Sequence, residues 1–222
     1  MRAVVPAYNE AMTVGAVVDA LLRSDCFEEV VVVDDGSIDD TRAIARDMGA
    51  RVVSTPRNLG KGGAMLQAVQ QRCAADSHVA FFDADLVGLQ PAHVHQMVTA
   101  SNQGYDMVCG MIGIYGMRGN SVLNALQLAF SPIITGQRVL AHWVINALPQ
   151  TCWSGYSIET AMNHVVTSKG GRTALVLLDG VAMRTKSEKT GLLRGITDHL
   201  KMARQIVATR RALRKSGGLS CR

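Results

Sequence analysis

Val30-Val31-Val32-Val33-Asp34-Asp35-Gly36-Ser37 is the stretch that decides the fold. Four consecutive valines make a continuous apolar run, as expected of a strand covered on both faces. The run ends in two carboxylates and a glycine, residues that favour turns. Upstream, Val14, Val17, Val18, Leu21 and Leu22 recur at the spacing of a helix with one buried face. Further upstream, Val4-Val5 reads as a strand broken by Pro6. Downstream come a helix near 40–48, a strand at Arg51–Ser54, a helix from about 62 to 73 and a strand at His78–Phe82. Pro91 suits the first turn of another helix. Alternation of this size implies β-α-β units around a mostly parallel sheet, hence an α/β fold.

In such sheets ligands sit at the carboxyl ends of the strands. The first strand is followed by Pro6-Ala7-Tyr8-Asn9-Glu10 and the second by Asp34-Asp35-Gly36-Ser37. After the third comes Asn58-Leu59-Gly60-Lys61-Gly62-Gly63, and the fourth ends in Asp83-Ala84-Asp85. Four strands thus deliver polar, glycine-rich or acidic residues to one rim.

Asp83 and Asp85 are two carboxylates one residue apart after an apolar strand. Such a pair is costly unless a cation or hydrogen bonds compensate it. Mg²⁺ and Mn²⁺ prefer oxygen ligands and share one or two carboxylates with substrate phosphates. The plain alternative is an aspartate capping a turn or helix. The glycines around Lys61 would allow backbone to approach an anion at a helix start. Taken alone, that segment also reads as a flexible loop.

Composition narrows the class. The chain has 222 residues, 48% hydrophobic and 18% charged, which suits one well-buried domain. No run of about 18 apolar residues offers a transmembrane helix. The five cysteines, Cys26, Cys73, Cys109, Cys152 and Cys221, are scattered and odd in number. They fit reduced thiols in a cytosolic compartment better than a disulfide framework or zinc site. The net charge of +5 is unevenly spread. Residues 1–183 hold 12 basic and 16 acidic side chains, whereas 184–222 hold 11 and 2.

The ordered motifs resemble family 2 of the inverting glycosyltransferases, with the GT-A fold. The likeness rests on Val5–Glu10, on Val33–Ser37 with Asp39 and Thr41, on Asn58–Ala64 and on Asp83-Ala84-Asp85. A looser match, Gly155-Tyr156-Ser157-Ile158-Glu159 with Lys169-Gly170 and a strand at Thr173–Leu178, is similar to the polyprenyl-phosphate sugar transferase branch. The resemblance implies a single Rossmann-like domain over 1–194, divided into a nucleotide-sugar half (1–100) and an acceptor half (101–194). It also implies that Pro6, Ala7, Asn9, Glu10 and Ala84 line the nucleotide-sugar pocket. Asp35 would contact the base and Lys61 would lie near the phosphates. Asp83 and Asp85 would hold Mg²⁺ or Mn²⁺ and act in catalysis. Branch members often carry a glutamine where this chain has Val87, which cannot ligate a metal.

The acceptor half carries neither the Glu-Asp pair nor the QxxRW helix of family members that glycosylate hydroxyls. A hydroxyl nucleophile needs a base, whereas a phosphate needs positioning cations. The missing base favours a phosphate acceptor, and the resemblance to the lipid-phosphate branch implies a polyprenyl or dolichyl phosphate, with Arg118, Arg138 and Arg184 as candidates to hold it. The alternatives are a small phosphorylated metabolite, a lipid alcohol, or a non-catalytic subunit that binds sugar nucleotide. Glu159 would orient the acceptor, act as base toward an alcohol, or only pair an arginine. The apolar stretch Val122–Leu148, interrupted by Pro132 and Gly136, reads mainly as core, and Trp143 and Trp153 as packing anchors.

Residues 195–222 read as a basic amphipathic helix and tail, with Ile196, Leu200, Ala203 and Val207 on one face. Such a segment suits an anionic membrane surface. Aromatic residues for base stacking are absent after Tyr156, so no nucleic-acid partner is expected. A peripheral protein at the cytoplasmic face of the membrane, and a possible homo-oligomer, complete the expectation.

Overall fold

The computed structural model describes residues 1–70, 78–112, 135–153 and 157–184. The expectations for Arg118 and for the basic segment 195–222 lie outside these residues.

Strand β1 (Arg2–Ala7) leads through α1 (Val14–Arg23) to β2 (Glu29–Asp34), and α2 (Thr41–Asp47) leads to β3 (Arg51–Ser54). Then follow α3 (Gly60–Gln70), β4 (Val79–Phe81), β5 (Leu86–Val87), α4 (Pro91–Asn102) and β6 (Met107–Ile112). The remaining elements are β7 (Arg138–Leu140), α5 (His142–Asn146), α6 (Ser157–Ser168), β8 (Thr173–Leu178) and β9 (Ala182–Met183). The main sheet runs β3-β2-β1-β4-β7-β6-β8, and β5 and β9 form a separate two-stranded sheet. Neighbours in the main sheet are parallel except β7, which runs antiparallel to both β4 and β6.

The central strands are buried on both faces, as the valine run implies. Ala3, Val5, Val30, Val32, Ala80 and Phe82 face a core shared with α1 and α4. Val4, Val31, Val33, Val79 and Phe81 face the other core, with α3, α5 and α6. This is the period of two of a pleated sheet, with apolar residues at both phases. Trp153 belongs to the second core, and Trp143 donates its indole N–H to Asp106 at 2.7 Å. From the apolar stretch, whose residues 122–134 lie outside the described ones, Leu140, Val144, Ile145 and Leu148 join the second core and Val139 the first.

Pro6 does not break β1. It stands opposite Val33 inside the parallel ladder. The pairing with β4 ends at Val4 opposite Phe81, so Pro6 lies past the end of that neighbour. A residue lacking an N–H is tolerated where the ladder on that side has stopped.

Among the described residues no helix is long and apolar enough to cross a membrane. Cys109 and Cys152 are buried free thiols, and desolvation pushes both above the ordinary thiol range. They suit a packing role better than a reactive one.

Phe82 is fully buried and packs edge-on to Phe27, 6.3 Å between ring centroids. Phe82→Ala should cost about 3–5 kcal/mol by urea denaturation. A loss below about 1 kcal/mol would show that this core is not closely packed.

Candidate functional site

The carboxyl ends of β1, β2 and β4 form the rim that sequence assigns to a ligand. Two loops there are stitched together. Asn9 adopts a left-handed conformation, φ 55°, which asparagine tolerates better than most residues. Its backbone N–H donates to Ser37 Oγ at 3.0 Å, and its Oδ1 accepts from the Ile38 N–H at 3.0 Å. The Glu10 N–H donates to Thr41 Oγ1 at 2.8 Å. Asp39 accepts from the amides of Ala11 and Thr41. Burial favours its neutral form, but hydrogen bonds from Thr41 and Ala11 outweigh that, and its carboxyl lies below the ordinary range.

Asp34 and Asp35 take internal tasks. Asp34 is fully buried and receives Arg42 at 2.9 Å and the Ser37 N–H at 3.1 Å. Sequence suggests a base contact for Asp35, but the structure gives its carboxylate another task. It is 3% exposed and accepts from the Leu59 and Gly60 amides, each at 2.8 Å, and from the Thr55 hydroxyl at 2.9 Å. It therefore anchors the 55–60 loop and the start of α3.

That anchor places Lys61. Its Nζ lies 2.6 Å from Asp83 Oδ1 and 2.9 Å from Glu159 Oε1. Three elements meet here: the first turn of α3, the end of β4 and the first turn of α6. Burial alone would lower the lysine pKa, but attraction to Asp83 and Glu159 prevails and holds it well above the ordinary lysine range. Glu159 is 4% exposed, and its Oε2 has no hydrogen-bond partner among the described residues.

Sequence reading missed the other side of this cluster. Gln137 is fully buried and donates Nε2–H to Asp83 Oδ2 at 3.0 Å. Its own Oε1 lies 2.7 Å from the Thr135 hydroxyl. A Cβ on Gly136 would run into the Asp83 carboxylate and the Lys61 ammonium. Gly136 is therefore needed for backbone to pass beside the ion pair. The only sequence signal was a glycine followed by polar residues within an apolar stretch.

Asp85 follows Asp83 by two residues, and its carbonyl accepts the Arg184 N–H at 3.1 Å. This backbone-to-backbone bond joins the residue after β9 to the Asp85 main chain. Val87, in β5, pairs with Ala182 and is exposed. Pro6 and Ala7 end β1 near the rim, and Ala84 is buried between the two aspartates in sequence.

Arg138 is a correction. It is 1% exposed, with Nε donating to the Thr135 carbonyl at 2.8 Å and Nη1 to Asn163 Oδ1 at 2.7 Å. Its strand directs it into the core side that carries α6, so the guanidinium ties α6 to the sheet rather than facing an acceptor. Asn163 lies one turn beyond Glu159, which links this tie to the placement of the glutamate.

Asp83 and Glu159 against the single ammonium of Lys61 leave a surplus of one negative charge. That surplus suits a divalent cation. Among the described residues no three metal-ligating side chains converge. Mg²⁺ or Mn²⁺ on the two aspartates would complete its oxygen shell from substrate phosphates and water, as these ions commonly do.

A doubly wound sheet with this acidic carboxyl edge defines an α/β protein of the GT-A fold. Residues 3–154 match Glycosyl transferase family 2, and the chain belongs to that family. It is 30% identical over 185 residues to glycosyltransferase AglJ of Haloferax volcanii, covering 77% of this chain and 59% of that protein. It is 26% identical over 161 residues to 4,4'-diaponeurosporenoate glycosyltransferase of Staphylococcus aureus, covering 59% of this chain and 42% of that protein. The chain thus spans less than two thirds of these relatives. Among solved structures it is similar to glucosyl-3-phosphoglycerate synthase of Mycobacterium tuberculosis in complex with Mn²⁺, UDP-glucose and phosphoglyceric acid. The TM-score is 0.74 at 27% identity, covering 96% of this chain and 78% of that one.

Two predictions follow from the cluster. Gly136→Ala should destabilise the fold by about 1–3 kcal/mol, measured by chemical denaturation, because the methyl group forces Asp83 and Lys61 apart. A neutral outcome would mean the backbone there is not held. Because the folded lysine value is raised, its stabilisation is complete below the unfolded value and is lost only as pH rises through the folded one. Lys61→Met should therefore lower Tm by a similar amount across about pH 6 to 9. A difference that vanished by the upper end would contradict the direction.

Proposed function

We propose that the chain is a glycosyltransferase that moves a hexose from a nucleoside-diphosphate sugar, with Mg²⁺ or Mn²⁺, to a phosphate-bearing acceptor. The observation that carries this reading is the cluster of Lys61, Asp83 and Glu159 at the carboxyl edge of the sheet, with Asp85 two residues beyond Asp83. UDP, UDP-glucose and the two metals in the similar synthase structures support a uridine donor and a divalent cation.

Pro6, Ala7, Asn9, Glu10 and Ala84 surround the nucleotide sugar in this reading, and the anchored 55–60 loop sets the approach of Lys61 to the diphosphate. Asp83 and Asp85 hold the cation. When bound, it neutralises charge developing on the leaving nucleoside diphosphate. Lys61 adds a second positive charge to the same oxygens.

Glu159 is engaged with Lys61, which favours an acceptor needing no deprotonation. A polyprenyl phosphate at the cytoplasmic membrane face is the first assignment, with Arg184, whose main chain is bonded to that of Asp85, as the candidate cation for its phosphate. The basic composition of 195–222 supports approach to an anionic surface. A small phosphorylated acceptor is the second assignment, supported by phosphoglyceric acid in the similar synthase.

Calorimetry with UDP and Mn²⁺ should show binding, and Asp85→Ala should lower transfer by about 10²–10³-fold while the circular dichroism spectrum stays unchanged. Full activity in that variant would remove Asp85 from the mechanism. Incubation with labelled UDP-hexose separates the acceptors: label moving into an organic phase with polyprenyl phosphate supports the first, and label on phosphoglycerate the second.

A further inference from the structure

Asp83 has no oxygen without a donor. Lys61 holds Oδ1 at 2.6 Å, and Gln137 holds Oδ2 at 3.0 Å. Gln137 cannot readily withdraw, since it is fully buried and lies 2.7 Å from Thr135 Oγ1 through its own oxygen. The Gly136 backbone walls the same side. The Lys61 ammonium, at the end of a flexible stem with 22% of its side chain exposed, is the member able to move. Glu159 offers it somewhere to go. One glutamate oxygen already receives it at 2.9 Å, and the other is buried without a hydrogen-bond partner among the described residues.

We propose that Lys61 and the divalent cation compete for the Asp83 carboxylate, so that the metal is held tightly only together with the donor diphosphate. Resting on the sugar-nucleotide reading, this adds an exchange of partners. Lys61 leaves Asp83 Oδ1, keeps Glu159, and takes a diphosphate oxygen as its new anionic partner. The oxygen it releases becomes available to the metal. No bond to carbon is made or broken, and the ammonium keeps its proton throughout. The exchange discourages the site from filling with metal before the donor arrives.

The test is Mn²⁺ binding without nucleotide, read from the loss of the free-ion electron paramagnetic resonance signal. Lys61→Gln should raise Mn²⁺ affinity by about tenfold or more, because a competing charge in contact with the ligand oxygen is gone. In an Asp83→Asn background the same change should give no gain. A gain of equal size in both backgrounds would show a general charge effect and overturn the proposal, as would no gain in either. Lys61→Arg, which keeps a cation against both carboxylates and preserves the charge balance of the fold, should stay at the wild-type affinity. A rise in that variant would also overturn it. Wild-type protein that failed to bind UDP with Mn²⁺ would instead remove the sugar-nucleotide reading itself, whereas normal UDP binding without the Lys61 effect would remove only the competition.

Discussion

The placement of one ammonium organises this molecule's chemistry. Lys61 lies between Asp83 and Glu159, which are 76 positions apart in the sequence. Bringing charges out of water costs several kcal/mol each, and attraction repays this only with close geometry and further hydrogen bonds. Here the geometry is supplied on every side. Asp35 fixes the loop that starts α3, Gln137 fixes the other oxygen of Asp83, and the Arg138–Asn163 contact ties down α6. These polar residues are buried to hold the cluster.

The antiparallel strand β7 is what joins the halves. It lies between β4, which ends in the acidic pair, and β6, which belongs to the later part of the chain. Its first residue and the one before it serve different partners: Gln137 reaches Asp83, and Arg138 reaches α6. A purely parallel order would have left the donor rim and Glu159 without this shared wall. Divided motifs in the sequence thereby become one site.

Much of the fold was legible because its signals are local. Valine runs buried on both faces, helical spacing in α1 and Pro91 at the start of α4 each depend on a few neighbouring residues. The acidic pair was legible through its position after an apolar strand. The Lys61–Glu159 contact was not, since 98 positions separate the partners and only the packing of α6 joins them. Gln137 and Gly136 were hidden for a related reason. They precede a three-residue strand inside an apolar stretch, and the polar role appears only when Asp83 arrives opposite. Asp35 and Arg138 show the reverse limit. Their residue types suit ligand binding, but carboxylates and guanidinium groups serve equally well as internal hydrogen-bond hubs, and type alone does not separate the two uses.

The central claim is that the Lys61 cluster is where a nucleoside diphosphate and its metal bind. A crystal structure with UDP and Mn²⁺ tests it most directly. The account predicts Mn²⁺ on Asp83 and Asp85, a diphosphate oxygen within hydrogen-bond reach of Lys61 Nζ, and the lysine still touching Glu159. Electron density for UDP elsewhere, with the Lys61 bridge to Asp83 and Glu159 undisturbed, would contradict it.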